Sequence, residues 1–132
     1  MADYLISYYD DEKTYYHPTK FCYHRTDGPA KEYANGDKEW FFHGKRHRED
    51  GPAVETALGS KHWYLNNYLH REHGPAIEWQ TGDKEWWLHG QLHREDGPAK
   101  EYADGLKVWY LQGKKYTEEE HSRLVKLKYF WR

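Results

Sequence analysis

Short β-prone runs such as Lys61-His62-Trp63-Tyr64-Leu65 alternate along this chain with polar dipeptides that end in glycine. The runs predict strands and the dipeptides predict the turns between them. The pattern is periodic. His-Arg-Thr-Asp-Gly-Pro-Ala starts at His24, His-Arg-Glu-Asp-Gly-Pro-Ala at His47 and His93, and His-Arg-Glu-His-Gly-Pro-Ala at His70, so successive starts lie 23 residues apart. The same step carries Trp40, Trp63, Trp86 and Trp109, then Lys38, Lys61, Lys84 and Lys107, then Glu32, Glu55, Glu78 and Glu101. Repetition at a fixed short period marks an array in which each unit contacts its neighbours.

Each unit holds two turn signals. The first ends at Gly36, Gly59, Gly82 or Gly105; the second is His43-Gly44, Asn66-Asn67, His89-Gly90 or Gln112-Gly113. Two-residue hairpins need positive φ, which Gly accepts freely and Asn better than most. Two antiparallel strands per unit follow, one short and one long. Proline lacks a ladder N–H, so the long strand is expected to break at Asp-Gly-Pro in a bulge or corner. The fold class is therefore all-β, a tandem antiparallel β-hairpin sheet extended like a solenoid.

If both turns span two residues, pairing follows. Across the first turn Lys31 faces Trp40, Glu32 faces Glu39, Val54 faces Trp63 and Ile77 faces Trp86. Across the second, Trp40, Trp63 and Trp86 face His47, His70 and His93. Further out, Lys38 faces Glu49 and Glu39 faces Arg48, with Lys61–Glu72, Lys84–Glu95 and Glu85–Arg94 as later equivalents. One face then carries Trp63, Leu65, Val54, Trp86, Leu88 and Ile77 and is the better buried. The other carries the glutamates, Ala53, Ala76, Ala99 and an aromatic stripe of Phe41, Tyr64, Trp87 and Tyr110. Lys31 and Lys100 stand at the Val54 and Ile77 positions of the outer repeats, where the stack meets solvent. One bulge inside a hairpin would invert part of this assignment.

The ends read as caps. Residues 1–23 form a degenerate unit rich in aromatics (Tyr4, Tyr8, Tyr9, Tyr15, Tyr16) without the turn glycines, and residues 24–116 hold the four repeats. In residues 117–132, Thr117-Glu118-Glu119-Glu120 is a capping box, with Thr117 as N-cap and Glu120 at N3. It predicts a short C-terminal capping helix bearing Leu124, Val125, Leu127 and Tyr129, laid over the last strand to protect an open edge. Phe130-Trp131 either packs there or forms an exposed contact.

Composition supports a folded sheet. Of 132 residues, Trp 7, Tyr 13 and Phe 4 make 18% aromatic, so a mean hydropathy of -1.25 does not signal disorder here. The net charge of -2 argues against a general nucleic-acid binder and against an acidic mimic of DNA. No stretch approaches the ~18 apolar residues of a membrane span, Met1 to Asp11 lacks an export signal, and Cys22 has no internal partner for a disulfide. These features give the expectation of a soluble, cytoplasmic protein.

The unit resembles the MORN repeat, a β-hairpin of the pattern Y-x-G-x-W-x-x-G-x-x-H-G-x-G, at Trp40, Gly44 and His47, at Trp63 and His70, and at Trp86, Gly90 and His93. It departs where MORN has H-G-x-G and this chain has H-R-E-D-G-P-A. Over roughly residues 24–116 it is more similar to variant repeat proteins with W-Y-L-N-G-K-L-H-R-E-D-G-P-A units, encoded by bacteriophages and large DNA viruses. That resemblance implies a small viral accessory protein, for which binding and inhibiting a host protein such as a defence factor is a common role, in the host cytoplasm.

Candidate chemistry is sparse. Successive repeats lie two strands apart, so His47, His70 and His93 stand ~9–10 Å from one another. Ligands to one zinc sit only ~2 Å from the ion, so the column is read as a Trp–His cross-strand stack and not as a metal site. His-Arg-Asp also occurs in kinase catalytic loops, but no Gly-rich phosphate loop or Asp-Phe-Gly accompanies it, and equal repeats offer no asymmetric pocket. No enzyme activity and no cofactor are expected. The arginines Arg25, Arg48, Arg71 and Arg94 are expected to neutralise nearby glutamates, as Glu32 and Glu39 would near Arg48. The alternative is a platform for a signalling nucleotide or other small anion at His70, Arg71, His73, Arg48 and Arg94, centred where His73 replaces the aspartate. For a protein partner the candidates are Phe41, Tyr64, Trp87 and Tyr110. Whether that stripe binds a partner, curls onto itself or is covered by a second copy is left open by the sequence.

Overall fold

The structure is a computed structural model and describes residues 3–130. It opens with β1 (Leu5–Tyr9) and β2 (Glu12–Tyr16), joined through Asp10 and Asp11, both at positive φ (48° and 62°). Aspartate tolerates that region better than most residues, so the degenerate unit keeps its hairpin without turn glycines. The first repeat supplies β3 (Lys31–Glu32), β4 (Lys38–Glu39), β5 (Phe41–Phe42) and β6 (Lys45–Arg46). The second supplies β7 (Val54–Glu55), β8 (Lys61–His62), β9 (Tyr64–Leu65) and β10 (Tyr68–Leu69). The third supplies β11 (Ile77–Glu78), β12 (Lys84–Glu85), β13 (Trp87–Leu88) and β14 (Gln91–Leu92). The last supplies β15 (Lys100–Glu101), β16 (Lys107–Leu111) and β17 (Lys114–Tyr116), followed by the helix α1 (Glu118–Phe130).

The fold is the expected all-β hairpin array. An 11-stranded sheet runs β1, β2, β3, β4, β7, β8, β11, β12, β15, β16, β17, while β5–β6, β9–β10 and β13–β14 form separate two-stranded hairpins. The second turn spans two residues as predicted. His43 (φ 49°) and Gly44 (φ 79°) close it, Phe41 faces Arg46, and the His47 N–H donates to the Trp40 carbonyl at 3.1 Å.

The first turn corrects the expected register. It spans three residues: the Tyr33 N–H donates to the Asp37 carbonyl (2.9 Å), and the N–H of Gly36, at φ 97°, donates to the Tyr33 carbonyl (3.0 Å). A three-residue loop with glycine in the left-handed position is the other common hairpin closure. Lys31 therefore faces Glu39 and not Trp40, Glu32 faces Lys38 and not Glu39, Val54 faces His62 and not Trp63, and Ile77 faces Glu85 and not Trp86. The pairs expected beyond the tryptophans (Lys38–Glu49, Glu39–Arg48, Lys61–Glu72, Lys84–Glu95 and Glu85–Arg94) also do not form. The chain forks there: the Trp40 N–H donates to the Ala53 carbonyl of the next unit at 2.7 Å, and Lys38 and Glu39 face Glu55 and Val54.

This register sorts the two faces anew. One row across the sheet reads Lys13, Glu32, Lys38, Glu55, Lys61, Glu78, Lys84, Glu101, Lys107, with opposite charges facing at every step. Such pairs contribute about 0.2–1 kcal/mol each. Strand alternation places this row on the face of Trp40, Trp63 and Trp86, here the loop face. The second row reads Thr14, Lys31, Glu39, Val54, His62, Ile77, Glu85, Lys100, Val108 and shares the other, stripe face with Phe41, Tyr64, Trp87 and Tyr110. Val54 and Ile77 thus leave the tryptophan face to which the two-residue turn would have assigned them, and the glutamates join it.

The expected bulge after Asp-Gly-Pro is present. The Ala30 N–H donates to the Glu39 carbonyl at 2.8 Å, so Ala30 and Lys31 both stand against Glu39. Ala30, Ala53, Ala76 and Ala99 sit at this fork with no exposure. At the C-terminus the capping box forms: the Glu120 N–H donates to Thr117 Oγ1 (3.2 Å) and the Thr117 N–H to Glu120 Oε1 (3.4 Å). Helix α1 packs on β16 and β17 and on the loop face, where His121 Nε2 meets the Arg94 carbonyl and both Lys128 and Tyr129 donate to Glu95. Phe130 is exposed, and Trp131 lies outside the described residues.

Candidate functional site

The repeated His-Arg-x-Asp-Gly-Pro-Ala stretch can be decoded atom by atom. The histidine holds the second turn that lies 19 residues further along the chain. Nδ1 of His24, His47, His70 and His93 accepts the N–H of His43, Asn66, His89 and Gln112 at 3.0, 3.0, 2.9 and 2.9 Å. Those N–H groups belong to the second turn of the repeat that the histidine opens, so each ring satisfies a turn that would otherwise face solvent or stay unpaired. On the opposite edge Asp37, Ser60 and Asp83 do the same for the N–H of Ala57, Gln80 and Ala103 (2.7, 3.0 and 2.7 Å). The sequence carried this second staple at the same 23-residue step, but with mixed residue types.

The arginine, and not the histidine, covers the tryptophan. Cζ of Arg48, Arg71 and Arg94 lies 3.9 Å from the ring centroid of Trp40, Trp63 and Trp86, and Arg25 sits at the same 3.9 Å over Tyr15. The expected Trp–His stack is corrected accordingly. Tyr15 fills the tryptophan position although it falls out of step, because the loop between Tyr15 and His24 is longer than that between Trp40 and His47. Glycine makes the stack feasible: a Cβ on Gly51 would lie 2.9 Å from Arg48 Cζ. Each guanidinium then donates from Nη1 to the proline carbonyl, at 3.1, 3.0, 3.1 and 3.1 Å for Pro29, Pro52, Pro75 and Pro98. Nε donates to Asp27, Asp50 and Asp96, and Nη1 approaches Glu32, Glu55, Glu78 and Glu101. Glu39, expected beside Arg48, is instead the partner of Arg46.

The proposed anion residues are therefore mostly occupied. Arg48 and Arg94 are stacked and paired, and His70 is a staple. Burial holds His70 below the ordinary histidine value, helped by the neighbouring His89 ring and opposed by Glu72. Burial likewise lowers His93, with Lys128 and His121 assisting and Glu95 opposing. Arg71 differs. His73 stands where its relatives have aspartate, Arg71 keeps Pro75 and Glu78 (3.7 Å), and its side chain is 31% exposed against 17%, 23% and 20% for Arg25, Arg48 and Arg94. A groove of about 890 Å³ separates this loop from the Arg94 loop, floored by Trp86 and Leu88 and bounded by Val125 and Tyr129 of α1.

The stripe face is organised differently. Phe41 is buried, while Tyr64, Trp87 and Tyr110 are half-buried. The Arg46 guanidinium lies between Phe41 (5.6 Å) and Tyr64 (5.7 Å) and donates to Glu39 from Nε and Nη2 at 3.1 and 2.9 Å. Trp87 Nε1–H donates to Glu85 Oε2 at 3.2 Å, and Lys100 pairs with Glu85. His62, between Val54 and Ile77, has a buried Nε2 without a hydrogen-bond partner, and burial lowers its pKa. Arg46 and His62 were not singled out by sequence, because neither recurs at the repeat step.

Among the described residues no group of three or more His, Cys, Asp or Glu side chains is placed to hold a metal ion, and no helix is long and apolar enough to cross a membrane. Comparison with family models, curated proteins and solved structures finds no match for this chain.

Proposed function

We propose that this chain is a non-catalytic repeat scaffold that binds a host protein through its stripe face, acting as an accessory or inhibitor of the kind its viral and phage resemblance implies. The observation that supports this is the contrast in side-chain use. Histidines and arginines of the loop face are occupied in holding turns and covering tryptophans, whereas Tyr64, Trp87 and Tyr110 lie half-exposed on a face that α1 does not cover. Aromatic side chains flanked by Arg46, Glu85 and Lys100 have the composition of an interface centre with a charged rim. The test is native mass spectrometry of tagged protein recovered gently from host lysate. A host protein at fixed stoichiometry, retained by His73→Asp and lost with Trp87→Ala or Tyr64→Ala, is the expected result. A partner retained by both stripe variants contradicts the reading.

A second reading has one observation in its favour. The Arg71 Nε lacks the carboxylate that its equivalents have, and the exposed His73 stands beside it, which suits a phosphate-bearing nucleotide or similar small anion. A bound mass of a few hundred daltons that disappears with His73→Asp and weakens with rising salt would favour it.

A further inference from the structure

β1 ends the sheet, all five of its residues are exposed, and the run Leu5-Ile6-Ser7-Tyr8-Tyr9 contains no charge and no proline. Natural sheets usually blunt such an edge. The opposite edge is blunted here: β17 is three residues long, carries Lys114 and Lys115, and runs into α1. The β1–β2 register fixes which backbone groups are unpaired. The two-residue turn is closed by the hydrogen-bonded pair Tyr9–Glu12, so by alternation Ser7–Thr14 and Leu5–Tyr16 are also bonded. Ile6 and Tyr8 then point their N–H and C=O groups outward. In agreement, Tyr15, opposite Ile6, directs its own N–H away from β1 to the Ala30 carbonyl at 2.7 Å.

We propose that β1 pairs antiparallel with β1 of a second copy, about a two-fold axis through Ser7, to join two arrays into one continuous sheet. In that register Ile6 of one copy faces Tyr8 of the other, and each such couple exchanges both of its outward N–H···O bonds. The side chains match as well. Ile6 meets tyrosine on the loop face, Leu5 meets Tyr9 on the stripe face, and the small Ser7 meets itself at the axis. These are aromatic–aliphatic cross-strand pairs with no like charges opposed. Self-complementarity selects a second copy over an unrelated strand. Because the β17 edge offers no equivalent run, the assembly closes at two. The axis is perpendicular to the sheet, so both aromatic stripes point the same way.

The test is sedimentation velocity of the full chain across a dilution series. The expected result is a dimer that dissociates on dilution. Ser7→Lys and Ser7→Glu, at an exposed position, should each keep the monomer's thermal stability and weaken the dimer by about tenfold or more, because like charges then face each other at the axis. An equimolar mixture of the two variants should restore a heterodimer. Ile6→Pro removes only an outward N–H and should also give a monomer. A wild-type monomer at every concentration, a dimer unaffected by both Ser7 variants, or open-ended polymers would overturn the proposal.

Discussion

The two faces of this sheet are built from the same repeats but obey different rules. On the loop face the equivalent side chains are nearly invariant: Trp40, Trp63, Trp86 and Trp109, or Arg25, Arg48, Arg71 and Arg94. Arg48, Arg71 and Arg94 each cover the tryptophan of the preceding unit, so a change in either partner is felt at the joint between repeats. On the stripe face the equivalent positions differ: Phe41, Tyr64, Trp87, Tyr110; Lys31, Val54, Ile77, Lys100; Glu39, His62, Glu85, Val108. The contacts between repeats on this face are correspondingly individual: Arg46 lies between Phe41 and Tyr64, and Lys100 pairs with Glu85. Internal invariance thus marks the groups that hold the array together, and internal variation marks the face on which the proposed partner would bind.

The largest effect that would break this contrast concerns the two tryptophan types. Trp63→Ala removes the platform under Arg71 in mid-array and should cost about 3 kcal/mol. Trp87→Ala should cost about 1 kcal/mol, because Trp87 packs at the surface beside Glu85. Urea unfolding of both variants checks this, and equal losses would erase the distinction between the faces. Next comes Gly90→Val. Gly90 sits at φ 78°, and a Cβ there would lie 2.8 Å from Tyr68 Cδ1. The expected cost is about 1–3 kcal/mol of backbone strain plus the clash. Adding Tyr68→Ala should recover only the clash, which thermal unfolding of the double variant would show.

Acid should weaken the joints by a smaller, graded amount. Folding holds His70 and His93 below their ordinary value, so the unfolded chain binds protons more readily than the folded one. Their contribution is complete above about pH 6.5 and is lost as pH falls through that value toward the lowered ones. Protonation would also replace the Nδ1 acceptor by a donor aimed at a backbone N–H. Thermal stability that stays flat or rises on acidification from neutral pH would argue against the staples. The smallest expected change is His73→Asp, which returns a carboxylate to Arg71 Nε and should gain ~0.2–1 kcal/mol by urea unfolding.

The hairpin array, the 23-residue step, the Asp-Gly-Pro bulge and the Thr117 capping box were legible because each depends on local chemistry. Register across the first turn was not. Asn35-Gly36 suits a two-residue turn as well as a three-residue loop, and choosing wrongly moves Val54 and Ile77 to the other face. The fork at tryptophan was also hidden, since it arises from competition between Ala53 and the unit's own strand for the Trp40 N–H. At the candidate sites, sequence identified Arg71 and His73 as the odd pair. It missed that arginine would outcompete histidine for the indole, because that depends on the space above Gly51 and Gly74. It also missed the Arg46 clamp on the stripe, which occurs once.

The central claim is that the repeated histidines are staples whose Nδ1 atoms accept backbone N–H groups of the second turn 19 residues further along the chain. Side-chain 15N NMR at mildly alkaline pH reports this most directly. The account predicts that His47, His70 and His93 carry their proton on Nε2, with Nδ1 showing the shift of a hydrogen-bonded acceptor. A proton on Nδ1 at these positions would contradict it.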